Sequence, residues 1–264
     1  MSLFLIAKIA ATIAMVLALS LIAERVSPRV AGLLSGYPLG AAIALFFIGM
    51  EISPEFAAES AVYTLAGLAA SQAFVYGYFM ASRRTAGRGI LASTAAGLAG
   101  YFAAAWLLHR VAFSRGPAVL AAVGSMALFV HLFRGIRDVA ITRSVRLTPA
   151  VFLMRAAFAA GIIVAITASA QAVGPAWAGL FSAFPTALLP LVLIVHMTYD
   201  KAHVHTIIKN FPNGVGALIA YGLAVSYLYP ACGVGWGTLA AFGLATVYLL
   251  VYGAVVGHRR RPCR

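Results

Sequence analysis

Runs of about 20 apolar residues follow one another along this chain, separated by short stretches that hold most of its charge. Such a run, coiled at about 1.5 Å per residue, matches the ~30 Å hydrocarbon layer of a bilayer. The pattern predicts nine helical spans, at roughly 3–23, 31–50, 57–81, 89–109, 117–134, 149–171, 177–198, 206–228 and 237–257. The fold class expected is therefore all-α and polytopic, with no room for a soluble domain. The first run is too long for a signal-peptide core and has no basic stretch before it, so it reads as the first span. Gly97–Leu98–Ala99–Gly100 and Gly214–Val215–Gly216–Ala217 are small-residue runs that let helices approach closely in lipid.

Composition strengthens this picture. Of 264 residues, 63% are hydrophobic and 9% charged, against about 25% charged in a soluble protein. The net charge of +13 does not point to nucleic acid, because the cations cluster at span ends. Fifteen of the 19 Lys and Arg fall in connections on one side, and only Arg110 and Arg115 fall on the other; Lys8 and Arg155 lie inside spans. The positive-inside rule then puts the N-terminus outside and the C-terminus in the cytoplasm of a cell membrane. Cys232 and Cys263 fall on opposite sides, which excludes a disulfide between them, and they make no metal spacing.

One stretch occurs twice. Pro28–Pro38 reads PRVAGLLSGYP and Pro175–Pro185 reads PAWAGLFSAFP, with six of 11 positions identical at an offset of 147. Lys8 then aligns with Arg155. The duplication divides the chain into repeat 1 (1–112), a linking helix and basic loop (113–147), an inverted repeat 2 (148–258) and a basic tail (259–264). Four spans, one more and four again make a 4+1+4 inverted-topology repeat, the plan of many secondary transporters.

Candidate residues follow from that plan. Lys8 and Arg155 each lie roughly 8–10 Å below a span end, counting about 1.5 Å per residue. A charge there costs a few kcal/mol unless it snorkels, finds a partner or lines a wet cavity. Snorkelling and anion binding both stay open. Ser35, Tyr37 and Pro38 in the first copy, with Ser182 and Pro185 in the second, sit where proline starts or breaks a helix. A start at that depth would aim N–H groups at an anion, with the two serines donating hydrogen bonds. Glu51, which ends an apolar run, and Asp200 are candidate coupling groups. Glu55, Glu59, His203 and His205 read more simply as solvated loop residues. Lys209, Asn210 and Asn213 around Pro212 read as a loop or a further broken helix. Gln72, Tyr76 and Tyr78 could line a polar path.

The run Ala178–Gly179–Leu180 to Phe184–Pro185–Thr186 resembles the A-G-L-x-x-x-F-P-T segment of the GlpM-like family of small integral membrane proteins; Ala31–Pro38 matches it more loosely. The resemblance implies two four-span units fused, with the fifth span inverting the second. It brings no site residues.

Together these readings predict a membrane transporter, a secondary carrier moving a small anionic or phosphate-bearing solute. A flippase for a phosphate-bearing lipid, a channel and a membrane scaffold are the alternatives. No catalytic constellation, cofactor motif or metal site stands out. The partners expected are the solute or lipid substrate and the surrounding lipids, not nucleic acid; a homodimer is compatible with the sequence.

Overall fold

The computed structural model describes residues 4–14, 28–85, 89–139 and 149–258. Among these residues every regular element is an α-helix: α1 Phe4–Ala14, α2 Pro28–Ser35, α3 Leu39–Glu51, α4 Pro54–Arg84, α5 Ile90–His109, α6 Arg115–Phe133, α7 Pro149–Ser182, α8 Leu188–Thr198 and α9 Lys201–His258. The side chain of Arg155, together with Arg25, Arg88, Arg143, Arg146, Cys263 and the tail 259–264, lies outside the described residues.

Five helical segments are long and apolar enough to cross a membrane: Val30–Glu51, Ile90–His109, Arg115–Phe133, Ala156–Ser182 and Lys201–Val255. Their packing is inside-out relative to a water-soluble bundle. On α6 the buried positions include Ala118, Ala122 and Ser125, small residues on one face at helical spacing. Leu120, Val123 and Leu128 face outward at 73%, 43% and 53% exposure. Large apolar groups on the surface and small ones at the joints are what a lipid solvent selects. The protein is a helical membrane protein by these criteria.

Two of the helices are interrupted at a glycine. Gly174 (φ 80°, ψ 168°) and Gly233 (φ 79°, ψ 169°) interrupt α7 and α9 with the same backbone conformation. A side chain is strained at such a φ, so glycine is the residue that turns the chain there. At Gly233 the two arms of α9 fold onto each other. Tyr229 bonds Thr238 at 2.7 Å, the rings of Tyr221 and Phe242 are 5.1 Å apart, and Tyr248 donates to the Asn213 carbonyl at 3.1 Å. Residues farther before the glycine meet residues farther after it, so α9 is a helical hairpin. A straight helix of that length would reach about 85 Å, far beyond one bilayer.

The tract around Pro212 is neither a loop nor a break. The first arm of α9 is helical through Pro212. Here α2 crosses so closely that a Cβ on Gly32 would strike the Ile207 carbonyl. Tertiary packing of this kind holds a helix together across a proline that, read alone, would end it.

At the centre lies α4, with Ala57, Ala61, Leu65, Ala66 and Leu68 all fully enclosed. One buried cluster joins α4 to α5, α6, α8 and the first arm of α9. A second joins α3 and α4 to α7 and both arms of α9. The two duplicated segments sit where these clusters meet.

Candidate functional site

Both duplicated segments are broken helices, and four backbone bonds of one break recur in the other, where Ala183 N also reaches Gly179 O at 3.1 Å. In the first, Gly36 N donates to Leu33 O (3.1 Å), Tyr37 N to Leu34 O (3.0 Å), Leu39 N to Tyr37 O (2.8 Å) and Ala42 N to Pro38 O (2.8 Å). In the second, Ala183 N donates to Leu180 O (3.2 Å), Phe184 N to Phe181 O (3.0 Å), Thr186 N to Phe184 O (2.7 Å) and Leu189 N to Pro185 O (2.9 Å). Every one of these residues is displaced by 147 from its counterpart. The proline of each break lacks an N–H, so the chain tightens into a short turn before helical bonding resumes.

Each break packs on the long helix of the other half. A Cβ on Gly32 would meet the Ile207 carbonyl, and one on Gly179 would meet the Ser60 carbonyl; Ser60 and Ile207 are themselves 147 apart. Gly36 lies against the backbone of Gly214, and Gly67 against the Ala183 methyl. If a touches b′ then a′ touches b, which is the reciprocity of a two-fold joint.

A cavity of ≈ 20 Å³ lies between the breaks, lined by Ser35, Tyr37, Ser71, Ser182, Pro185 and Thr186 among others. That volume holds about one water. Ser35, Tyr37, Ser182 and Pro185 were singled out from sequence and are brought together here; Pro38 caps α3 beside them. The donor role expected of the two serines is corrected. Ser35 Oγ donates to the Ala31 carbonyl and Ser182 Oγ to the Ala178 carbonyl, each at 2.7 Å. Their protons are committed to the preceding helical turn, as serine in an apolar helix commonly arranges. The hydroxyls therefore turn lone pairs to the cavity.

Lys8 lies apart from the breaks and is not a lone cation. Its Nζ donates to Glu51 Oε2 at 2.6 Å and sits 5.6 Å from the centre of the Phe47 ring. The Lys8 side chain is only 7% exposed, and Glu51 retains 26%. The roles expected from sequence, an anion site for Lys8 and a coupling role for Glu51, fall on two partners of one ion pair. Lys8 turns to a carboxylate at the end of α3. The pair borders a cleft of ≈ 840 Å³ whose wall includes Thr167 and Gln171 of α7.

Asp200 lies elsewhere, at the start of α9. Its Oδ1 accepts from the N–H groups of Ala202 (2.9 Å) and His203 (3.2 Å) and from His203 Nδ1 (2.8 Å). Ser53 caps α4 in the same way, accepting from Phe56 N at 3.1 Å, again at the offset of 147. Asp200 is thus a helix cap. Burial works to raise its pKa, but the hydrogen bonds and charge of His203 outweigh that and hold it below the usual value.

The sequence reading passed over His196. It is 2% exposed, and its Nδ1 lies 2.7 Å from the Tyr78 hydroxyl. One turn along, His205 Nε2 lies 2.8 Å from Ser82 Oγ. The signal was present: His196 is the one ionisable residue in α8, and such residues inside apolar helices mark polar contacts. Gln72 is fully buried, and among the described residues neither of its amide atoms has a hydrogen-bond partner. Tyr76 is 39% exposed, against Phe129, so the three residues proposed as one polar path face different surroundings.

Comparison with family models, with curated proteins and with solved structures found no match.

Proposed function

We propose that the protein is a membrane carrier made of two inverted four-helix units joined by α6, and that a small polar solute crosses where the two breaks meet. Nine spans, an external N-terminus and a cytoplasmic C-terminus complete this arrangement. The observation that carries it is the pair of breaks, sharing four backbone bonds and packed reciprocally on each other's long helix. Broken helices at a repeat interface free backbone groups for a solute inside the bilayer and let the halves rock about a fixed point. The ≈ 20 Å³ cavity fits the occluded stage of such a cycle. The GlpM-like resemblance supports the same history, a four-span unit copied and fused.

The solute class is narrowed by Lys8. Its charge is already met by Glu51, so it can hold an anion only after the pair opens. Protonation of Glu51 would open it, which gives the carrier a coupling step. Two measurements test the reading. A membrane-impermeant maleimide applied to intact cells should label Glu55→Cys and not Ala202→Cys, in a chain with both native cysteines changed to serine. Purified protein in liposomes should take up inorganic phosphate with saturation, faster at an acidic face, and Glu51→Gln should remove the pH dependence. Labelling of both positions from one side would end the inverted arrangement. Uptake of phosphate that never saturates would end the carrier.

A further inference from the structure

A second cavity, of ≈ 670 Å³, lies at the other end of α4, between the start of α9 and the segment after α6. Arg83, Arg137, Lys201 and His205 line it, and no carboxylate does. Two acids lie next to it in sequence, and both are engaged elsewhere. Asp138 stands 3.3 Å from Lys209 Nζ, and Asp200 is held by His203 at 2.8 Å. Among the described residues, the wall of the cavity thus carries cations and no carboxylate. Their scaffold is ordered: Arg83 lies 5.4 Å over the Phe79 ring, that ring meets His205 edge-on at 4.8 Å, and His205 is bonded to Ser82.

We infer that this cavity is a binding site for a phosphate group. The planar guanidinium of Arg83 or Arg137 can take two phosphate oxygens at once, and Lys201 adds a mobile point charge. The cavity lies on the face where the charge bias concentrates cations, the face of the membrane at which anionic lipid headgroups meet basic pockets between helices. The phosphate can come from a lipid headgroup or from a free phosphate ion. The site stands whether or not the chain is a carrier, since it uses none of the residues at the breaks.

The test is native mass spectrometry of the purified full chain in neutral detergent, with phosphatidic acid against phosphatidylcholine of the same acyl chains. Phosphatidic acid should be retained selectively. Arg83→Gln/Arg137→Gln/Lys201→Gln should lower its retention on the order of a hundredfold, and each single change about fivefold. Arg84→Gln/Arg110→Gln/Arg134→Gln removes the same charge away from the cavity and should leave retention unchanged. If the first triple variant fails to fold, the exposed Arg83→Gln alone is read by the same standard. Displacement of the lipid by millimolar inorganic phosphate would assign the site to the free ion; persistence of the lipid would assign it to the headgroup. Equal retention of phosphatidylcholine, undiminished retention in the cavity variants, or an equal loss in the control would each overturn the inference.

Discussion

The two breaks share a backbone and differ in what clamps them. Three hydroxyls from the first half reach the carbonyls of the second break: Thr64 donates to Gly179 O at 3.0 Å, Tyr101 to Leu180 O and Ser71 to Ala183 O. At the offset of 147 the counterparts are Phe211, Tyr248 and Leu218. Two of these have no hydroxyl, and Tyr248 bonds Asn213 instead. Among the described residues the first break is tied to another helix by Tyr37, whose hydroxyl lies 2.8 Å from that of Thr246. Equal folding therefore does not mean equal stiffness. The second break is tied by more side chains than the first. The same inequality holds for charge: Glu51 neutralises Lys8, whereas its counterpart Thr198 carries no charge.

The largest effect should come from breaking the charged half of this comparison. Glu51→Ala leaves Lys8 enclosed without its partner and should cost about 3 kcal/mol or more, whereas Thr198→Ala should cost well under about 1 kcal/mol. Thermal melts of the two variants in detergent check this, and equal losses would refute the asymmetry. Adding Lys8→Met to Glu51→Ala should restore most of the stability, because no unpaired charge remains.

A smaller change unpins the second break. Tyr101→Phe and Ser71→Ala each remove one buried hydrogen bond, worth about 1 kcal/mol. Hydrogen exchange should show amides at 183–189 slower than those at 36–42 in the parent chain. In the double variant the two rates should converge. Rates already equal in the parent would mean that the clamps do not stiffen the break.

The smallest effect separates the caps. Asp200 has a folded-state pKa below its unfolded one, so its contribution is present above the unfolded pKa and is lost as pH falls through the folded value. Ser53 does not titrate. Acidification below about pH 4 should fray the start of α9 and leave the start of α4 intact, seen by exchange at each. Asp200→Asn should abolish the difference.

Much of this arrangement was legible in the chain. The repeated prolines located both breaks, and the offset of 147 located their partners. The Lys8–Glu51 pair was harder to see: reading Lys8 against Arg155, its counterpart at the offset of 147, drew attention away from a partner 43 residues along. Two things were hidden for physical reasons. The continuity of α9 through Pro212 depends on α2 pressing on it from 175 or more residues away. The committed protons of Ser35 and Ser182 depend on helical carbonyls whose placement no side-chain pattern announces. His196 was overlooked although its isolation in an apolar run was in plain view.

The glycine contacts between the breaks and the long helices carry one further consequence. Where Gly32, Gly36, Gly179 and Gly214 meet their neighbours, main chain rests on main chain, with the Cβ atoms of Asn210 and Tyr63 beside the first and third. Such a joint holds the two surfaces at the closest approach that one main chain can make to another. It also tolerates no wedge: a methyl group added at any of the four would strike the chain it faces.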